Sequence, residues 1–138
     1  MPDKIFIDSN VVIYAISQAS SKAHLAAPLF VDSPSISTQV LSETANVASK
    51  RLGLAVSEVR KLMSSLEAMC TIEIITVATV HKALDVRERY GFSWYDSLIV
   101  ATALAAGCSR LYSEDMQHDQ LIEGQLRVIN PFVGSGDI

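Results

Sequence analysis

The chain has 138 residues, 49% of them hydrophobic, with 11 Lys and Arg against 15 Asp and Glu. That length and apolar content suit one domain with a single core, expected over residues 1–133 and followed by a flexible tail at 134–138. A net charge of -4 and a pI of about 5.2 mean that the molecule repels polyanions, so any phosphate partner needs metal ions or local basic groups.

Three apolar residues, Ile5 to Ile7, precede the first buried-looking acid, too few for a signal-peptide core or a membrane span. A cytoplasmic protein without membrane contact is the expectation. Lys4-Ile5-Phe6-Ile7 reads as a short strand broken by Asp8-Ser9-Asn10, with Asn10 placed to cap a helix running through Ile16. Ser21 to Phe30 reads as a second helix that stops before Asp32-Ser33-Pro34, and Ser35-Ile36-Ser37 as a buried strand. Two helices follow, from about Thr38 to Leu52, ended by Gly53, and from about Ser57 to Met69, with Ser57 as cap. Thr71 to Ile75 is the next strand, and Val77 to Tyr90 a helix closed by Gly91. Ser93 opens a helix from Trp94 to Ala106 that is apolar nearly all round and hence buried between other elements, with Gly107 ending it. Arg110-Leu111-Tyr112 and Arg127-Val128-Ile129 are the last strands. Strands alternating with helices, with hardly any Asn-Gly or Asp-Gly hairpin signal, predict an α/β domain whose mainly parallel sheet is covered on both faces. Cys70 and Cys108 sit in apolar stretches without a ligand pattern and read as buried, reduced thiols.

Ligands of open parallel sheets bind beyond the carboxyl ends of the strands. Asp8 directly follows the first strand, Glu43 lies early in the helix after the second, and Asp115 lies just beyond Tyr112. Asp96 falls in the first turn of the apolar helix, on the face of Ile99, Val100 and Ala103, where an acid must be capping, hydrogen-bonded, protonated or bound to a cation. Each also has an ordinary explanation. Asp8 can close an Asx-turn, Glu43 can be a solvated helix residue, Ser93-Trp94-Tyr95-Asp96 has capping-box spacing, and Asp115 shares a charged loop with Glu114 and Asp119, either of which could be the fourth acid. Their convergence carries the argument. Two carboxylates about 4 Å apart repel by about 4 kcal/mol at an effective dielectric near 20, and a divalent cation removes that cost. All-oxygen sites favour Mg²⁺ or Mn²⁺, ions suited to phosphodiester hydrolysis.

The segments around these acids resemble the PIN-domain nucleases, specifically the VapC-like toxins of toxin-antitoxin pairs, over nearly the whole chain. Ile7-Asp8-Ser9-Asn10-Val11, Ser37-Thr38-Gln39-Val40-Leu41-Ser42-Glu43, Tyr95-Asp96-Ser97-Leu98-Ile99-Val100-Ala101 and Leu111-Tyr112-Ser113-Glu114-Asp115 resemble the four motifs in order, and Ile129-Asn130-Pro131-Phe132 resembles an ending found in one branch. The resemblance implies a PIN-like three-layer α/β/α fold with about five short strands. It also implies an endoribonuclease dependent on Mg²⁺ or Mn²⁺, with Asp8, Glu43, Asp96 and Asp115 as metal-holding catalytic acids. It further implies a homodimer inhibited by an antitoxin peptide lying in the groove. The sequence departs from many relatives after Asp115, where Met116-Gln117-His118-Asp119 follows.

Ser9, Asn10 and Ser113 could orient the carboxylates, and Lys22, Lys50 and Arg51 could hold RNA phosphates, although basic groups are as often plain solvated charges. Arg60 and Lys61 offer the same possibility. His24, His81 and His118 form no cluster and receive no role, and Trp94 reads as core rather than as a base-stacking platform. Two rivals stand beside this reading. Another α/β phosphate enzyme would want a second acid where Asn10 stands, or a late Lys for a phospho-accepting receiver, and a PIN-like binding module would keep the fold without the catalysis.

Overall fold

The structure, a computed structural model, describes residues 3–17 and 21–133; the expected tail at 134–138 lies outside them. Its elements are β1 (Ile5–Ile7), α1 (Ser9–Ile16), α2 (Ala23–Ala26), β2 (Ser35–Ser37), α3 (Thr38–Lys50), α4 (Val56–Met69), β3 (Thr71–Glu73), α5 (Val77–Tyr90), α6 (Trp94–Ala105), β4 (Arg110–Tyr112), β5 (Leu121–Ile122) and β6 (Leu126–Ile129). The strands form one sheet in the order β3-β2-β1-β4-β6-β5, parallel throughout except for the β5–β6 pair. Phe6 and Ile7 are neighbours on β1, so their side chains leave opposite faces, and both are fully buried. Helices therefore cover both faces of the sheet, as expected for the α/β class.

Several boundaries differ from the sequence expectation, each for a local reason. The cap of α1 is Asp8, whose carboxylate accepts from the Ser9 N–H, so the helix starts before Asn10 and frees that side chain for other partners. The helix expected over Ser21 to Phe30 is α2 followed by a tighter 3-10 turn at Ala27–Phe30, because Pro28 has no N–H to continue an α-helical ladder. α4 begins at Val56, and the Glu58 carboxylate accepts from the Ala55 N–H in place of a cap by Ser57. β3 stops at Glu73 rather than Ile75, since its partner β2 has only three residues before Ser37 turns into the cap of α3.

Among the described residues six strands stand where about five were expected. The extra one, β5, pairs with β6 across the three residues Glu123 to Gln125, where Glu123 and Gly124 turn the chain at left-handed φ values of 54° and 64°. As expected, α6 has eight consecutive buried residues, Ser97 to Leu104, and Gly91 closes α5 at φ 73° with its N–H donating to the Arg87 carbonyl. Cys70 and Cys108 are buried and free, and burial pushes both thiols up to about 11, so they stay protonated and unreactive.

Candidate functional site

From β1 the chain winds outward through β2 to β3, then returns to lay β4 against the opposite edge of β1. Connections leaving the carboxyl ends of β1 and β4 consequently diverge, which opens a crevice there. The register Ile7↔Tyr112 sets Asp8 and Ser113, the first residues beyond each strand, side by side, and the Asp8 N–H donates to the Tyr112 carbonyl at 3.0 Å.

Asp8 is 4% exposed. Its Oδ1 accepts from the Ser9 N–H at 2.7 Å and the Ser9 hydroxyl at 3.4 Å, and its Oδ2 accepts from the fully buried Ser113 hydroxyl at 2.8 Å. Burial pushes this carboxyl up from 3.8 to about 6, against the pull of the Ser113 and Ser9 bonds and with the added push of Asp96 and Glu43. Glu43, half-buried one turn into α3, is raised first by burial, is lowered by Ser9 and Gln39, and is raised again by Asp96 and Asp115. Gln39 donates its amide to Glu43 Oε1 at 3.3 Å and to the Tyr95 carbonyl at 3.3 Å, which ties α3 to the start of α6. Asp96, half-buried in the first turn of α6, is raised first by burial, is lowered by Ser93 and is raised by Asp115. The Ser93 hydroxyl accepts from the Asp96 N–H at 3.2 Å, so the capping half of the expected box is present.

Asp115 is exposed on the bend after β4 and accepts from the Asn10 amide at 2.9 Å. Its charge reaches both Glu43 and Asp96. Four acids from chain positions 8, 43, 96 and 115 are thus linked through their charges, Asp8 to Glu43 and Asp96, and those two to Asp115. The two competitors for the fourth place are engaged elsewhere. Glu114 is ion-paired with Lys22 and accepts from Tyr14, and Asp119 pairs with Arg127 while its side chain stays 71% exposed. As the side chains stand, no group of three or more His, Cys, Asp or Glu among the described residues is arranged to grip a metal ion. The donor set nevertheless fits a hard divalent cation. It is all oxygen, and burial together with like charge has raised three of its carboxyls, a penalty that a bound cation would reverse.

Of the polar helpers suggested by sequence, Ser9, Asn10 and Ser113 all touch a carboxylate. The basic candidates separate. Lys22 pairs with Glu114, the neighbour of Asp115 in sequence, whereas Lys50 and Arg51 are exposed at the far end of α3, about 10 Å along the helix from Glu43 at 1.5 Å per residue. His118 accepts the Asn130 N–H in the C-terminal turn, and Trp94 packs near Ala83, Leu98 and Ala101 as core. Sequence reasoning missed Tyr14 and Gln39. Both were findable by helical spacing, since each lies four residues from a candidate, Tyr14 from Asn10 and Gln39 from Glu43. A cavity of about 1080 Å³ opens at the opposite rim, lined by Ile5, Pro34, Gly107 and Ser109 among others, and none of the four acids lines it.

The sequence model of the family described as PIN domain matches residues 5–123. No curated protein sequence gives a significant match. Among solved structures, the fold is similar to VapC20 of Mycobacterium tuberculosis, a toxin that cleaves the sarcin-ricin loop, with TM-score 0.68 and 18% identity over 88% of this chain and 99% of that one. It is similar to a toxin-antitoxin complex from Klebsiella pneumoniae, with TM-score 0.73 and 20% identity over 93% and 98% of the two chains. It is also similar to DNA-bound VapBC of Salmonella typhimurium, with TM-score 0.68 and 16% identity over 92% and 98%. At such identities the likeness establishes the fold.

Proposed function

The chain belongs to the PIN domain family, and on that premise we propose that it is an endoribonuclease dependent on Mg²⁺ or Mn²⁺ and the toxin of a toxin-antitoxin pair. The observation that carries the reading is the mutual field of Asp8, Glu43, Asp96 and Asp115 at the crevice between β1 and β4. In this reading the four carboxylates hold the cation, which when bound activates water and offsets charge on the departing oxygen. Asp8 is the fixed member, because Ser9 and Ser113 hold both its oxygens and its burial leaves it no other solvent. Glu43 and Asp96 meet it from α3 and α6, joined by the Gln39 bridge. An RNA phosphodiester, otherwise repelled by a chain of net charge -4, is drawn in only where carboxylate charge has been neutralised.

Complexes of toxin with antitoxin among the similar structures support an antitoxin partner, and an antitoxin peptide in the crevice together with a homodimer is the assembly proposed here. Among the described residues no helix is long and apolar enough to cross a membrane. The test is cleavage of structured and unstructured RNAs by purified protein with Mg²⁺, Mn²⁺ or chelator, alongside Asp8→Asn and Asp96→Asn. Cleavage is expected with either ion and is expected to fall by at least about 100-fold in each variant. Persistence under chelation or in both variants would end the proposal.

A further inference from the structure

Lys22, just before α2, was read from the sequence as a grip for RNA phosphate, yet its ammonium is already committed. It pairs with Glu114 Oε2 and lies over the rings of Tyr14 and Phe132, 4.7 Å and 5.0 Å from their centroids. Tyr14 donates its hydroxyl to the other oxygen, Glu114 Oε1, at 2.8 Å and meets the buried Phe132 edge-on at 5.1 Å. Both oxygens of Glu114 are therefore pinned on the side of α1. Its backbone N–H donates to Asn10 Oδ1 at 3.3 Å, and Asn10 Nδ2 donates to Asp115 Oδ2 at 2.9 Å. Those two contacts fix the orientation of the Asn10 amide, since a flipped amide would set nitrogen against N–H and oxygen against carboxylate.

The chain of contacts runs without a break from Lys22 through Glu114 and Asn10 to Asp115. Asp115 needs such support. Unlike Asp8, Glu43 and Asp96, it is exposed, and it sits on the bend after β4. We infer that Lys22 and Tyr14 act through Glu114 and Asn10 to aim the Asp115 carboxylate at the other three acids. Lys22 is thus a positioning residue and does not grip substrate. The inference rests on the metal-dependent reading proposed above.

The test combines calorimetric titration of Mn²⁺ into metal-free protein with RNA-cleavage kinetics and thermal melting, for wild type, Lys22→Met, Lys22→Arg, Glu114→Gln and Asp115→Asn. Lys22→Met and Glu114→Gln are expected to weaken Mn²⁺ binding by about 10-fold and to lower kcat, with KM for RNA changed less than about twofold. Lys22→Arg, which keeps the ion pair, should recover most of the affinity. In an Asp115→Asn background Lys22→Met should add nothing further, because the two changes act on one path. If Lys22→Met melts early, Tyr14→Phe replaces it, removing one hydroxyl with the same direction expected. Wild-type Mn²⁺ affinity in these variants with a raised KM for RNA would overturn the inference and restore Lys22 as a phosphate grip. If Asp115→Asn leaves Mn²⁺ binding intact, the underlying reading of the fourth acid fails instead, a distinguishable result.

Discussion

At the scale of single residues, Asp8 concentrates the conflict on which the proposed function depends. Its folded carboxyl titrates near 6 against 3.8 for the free group. A raised pKa means that the protonated form is favoured on folding. The associated stability is fully present below about pH 3.8 and is lost as pH rises through about 6. Metal-free protein should therefore weaken across that window, by at most about 3 kcal/mol for a shift of roughly two units. Asp8→Asn keeps the shape and the helix cap without the charge. Metal-free Asp8→Asn is expected to be more stable than wild type by about 1–3 kcal/mol at pH 7.5 and to match it at pH 4, as read by urea unfolding at both values. Parallel pH profiles for the two proteins would refute the account. Much at this scale was legible beforehand. Asp8, Glu43, Asp96 and Asp115 stand out by strand-end position and by an acid on an apolar helix face, both patterns written in spacing. The capping of α1 was not, because Asp8 and Asn10 are equally good caps in sequence and only the buried strand end decides between them. Nor was the engagement of Glu114, which depends on a Lys 92 positions away.

Among the elements, α6 matters most, because it carries Asp96 and is buried along eight successive residues. Such burial requires close neighbours. Ala83 of α5 and Ala101 of α6 are both fully buried in one small cluster with Leu98, bordered by Ile75 and Trp94. Ala83→Leu would force the two helices apart and is expected to cost about 1–3 kcal/mol, measured as a lowered urea midpoint with unchanged slope. An unchanged midpoint would show that this contact has slack. The β5–β6 hairpin marks the limit of reading elements from sequence. Its turn uses Glu123, a residue with no preference for positive φ. The position is tolerable because α5 supplies partners: the Tyr90 hydroxyl accepts the Glu123 N–H at 2.9 Å, and Arg89 and Lys82 pair with its carboxylate. A tertiary contact thus stands in for the Asn-Gly or Asp-Gly signal that a local reading seeks. β3 was overextended for a related reason, since strand length is set by the partner and not by the apolar run.

For the whole molecule, the sheet order and the acid cluster together predict a ligand-linked stability. Mn²⁺ should raise the melting temperature of wild type in proportion to about 2.7 kcal/mol at a hundredfold excess over Kd, and should leave Asp8→Asn nearly unmoved. A wild type indifferent to Mn²⁺ would favour the rival reading of a binding module without catalysis. The fold class was legible from alternating strands and helices, whereas the order in which the strands associate was not, because nothing local says that β4 returns to the flank of β1. That return has a further consequence. Asp8 meets Ser113 across a separation of 105 positions, and Asp115 lies beyond even that. During synthesis the early segments emerge and can fold while the last carboxylate is still within the ribosome. On the proposed reading, a nascent or prematurely terminated polypeptide lacking β4 is harmless to the cell that makes it. The hazard begins only once the residues beyond β4 have been made, and a reading frame truncated before residue 110 should accordingly express without toxicity.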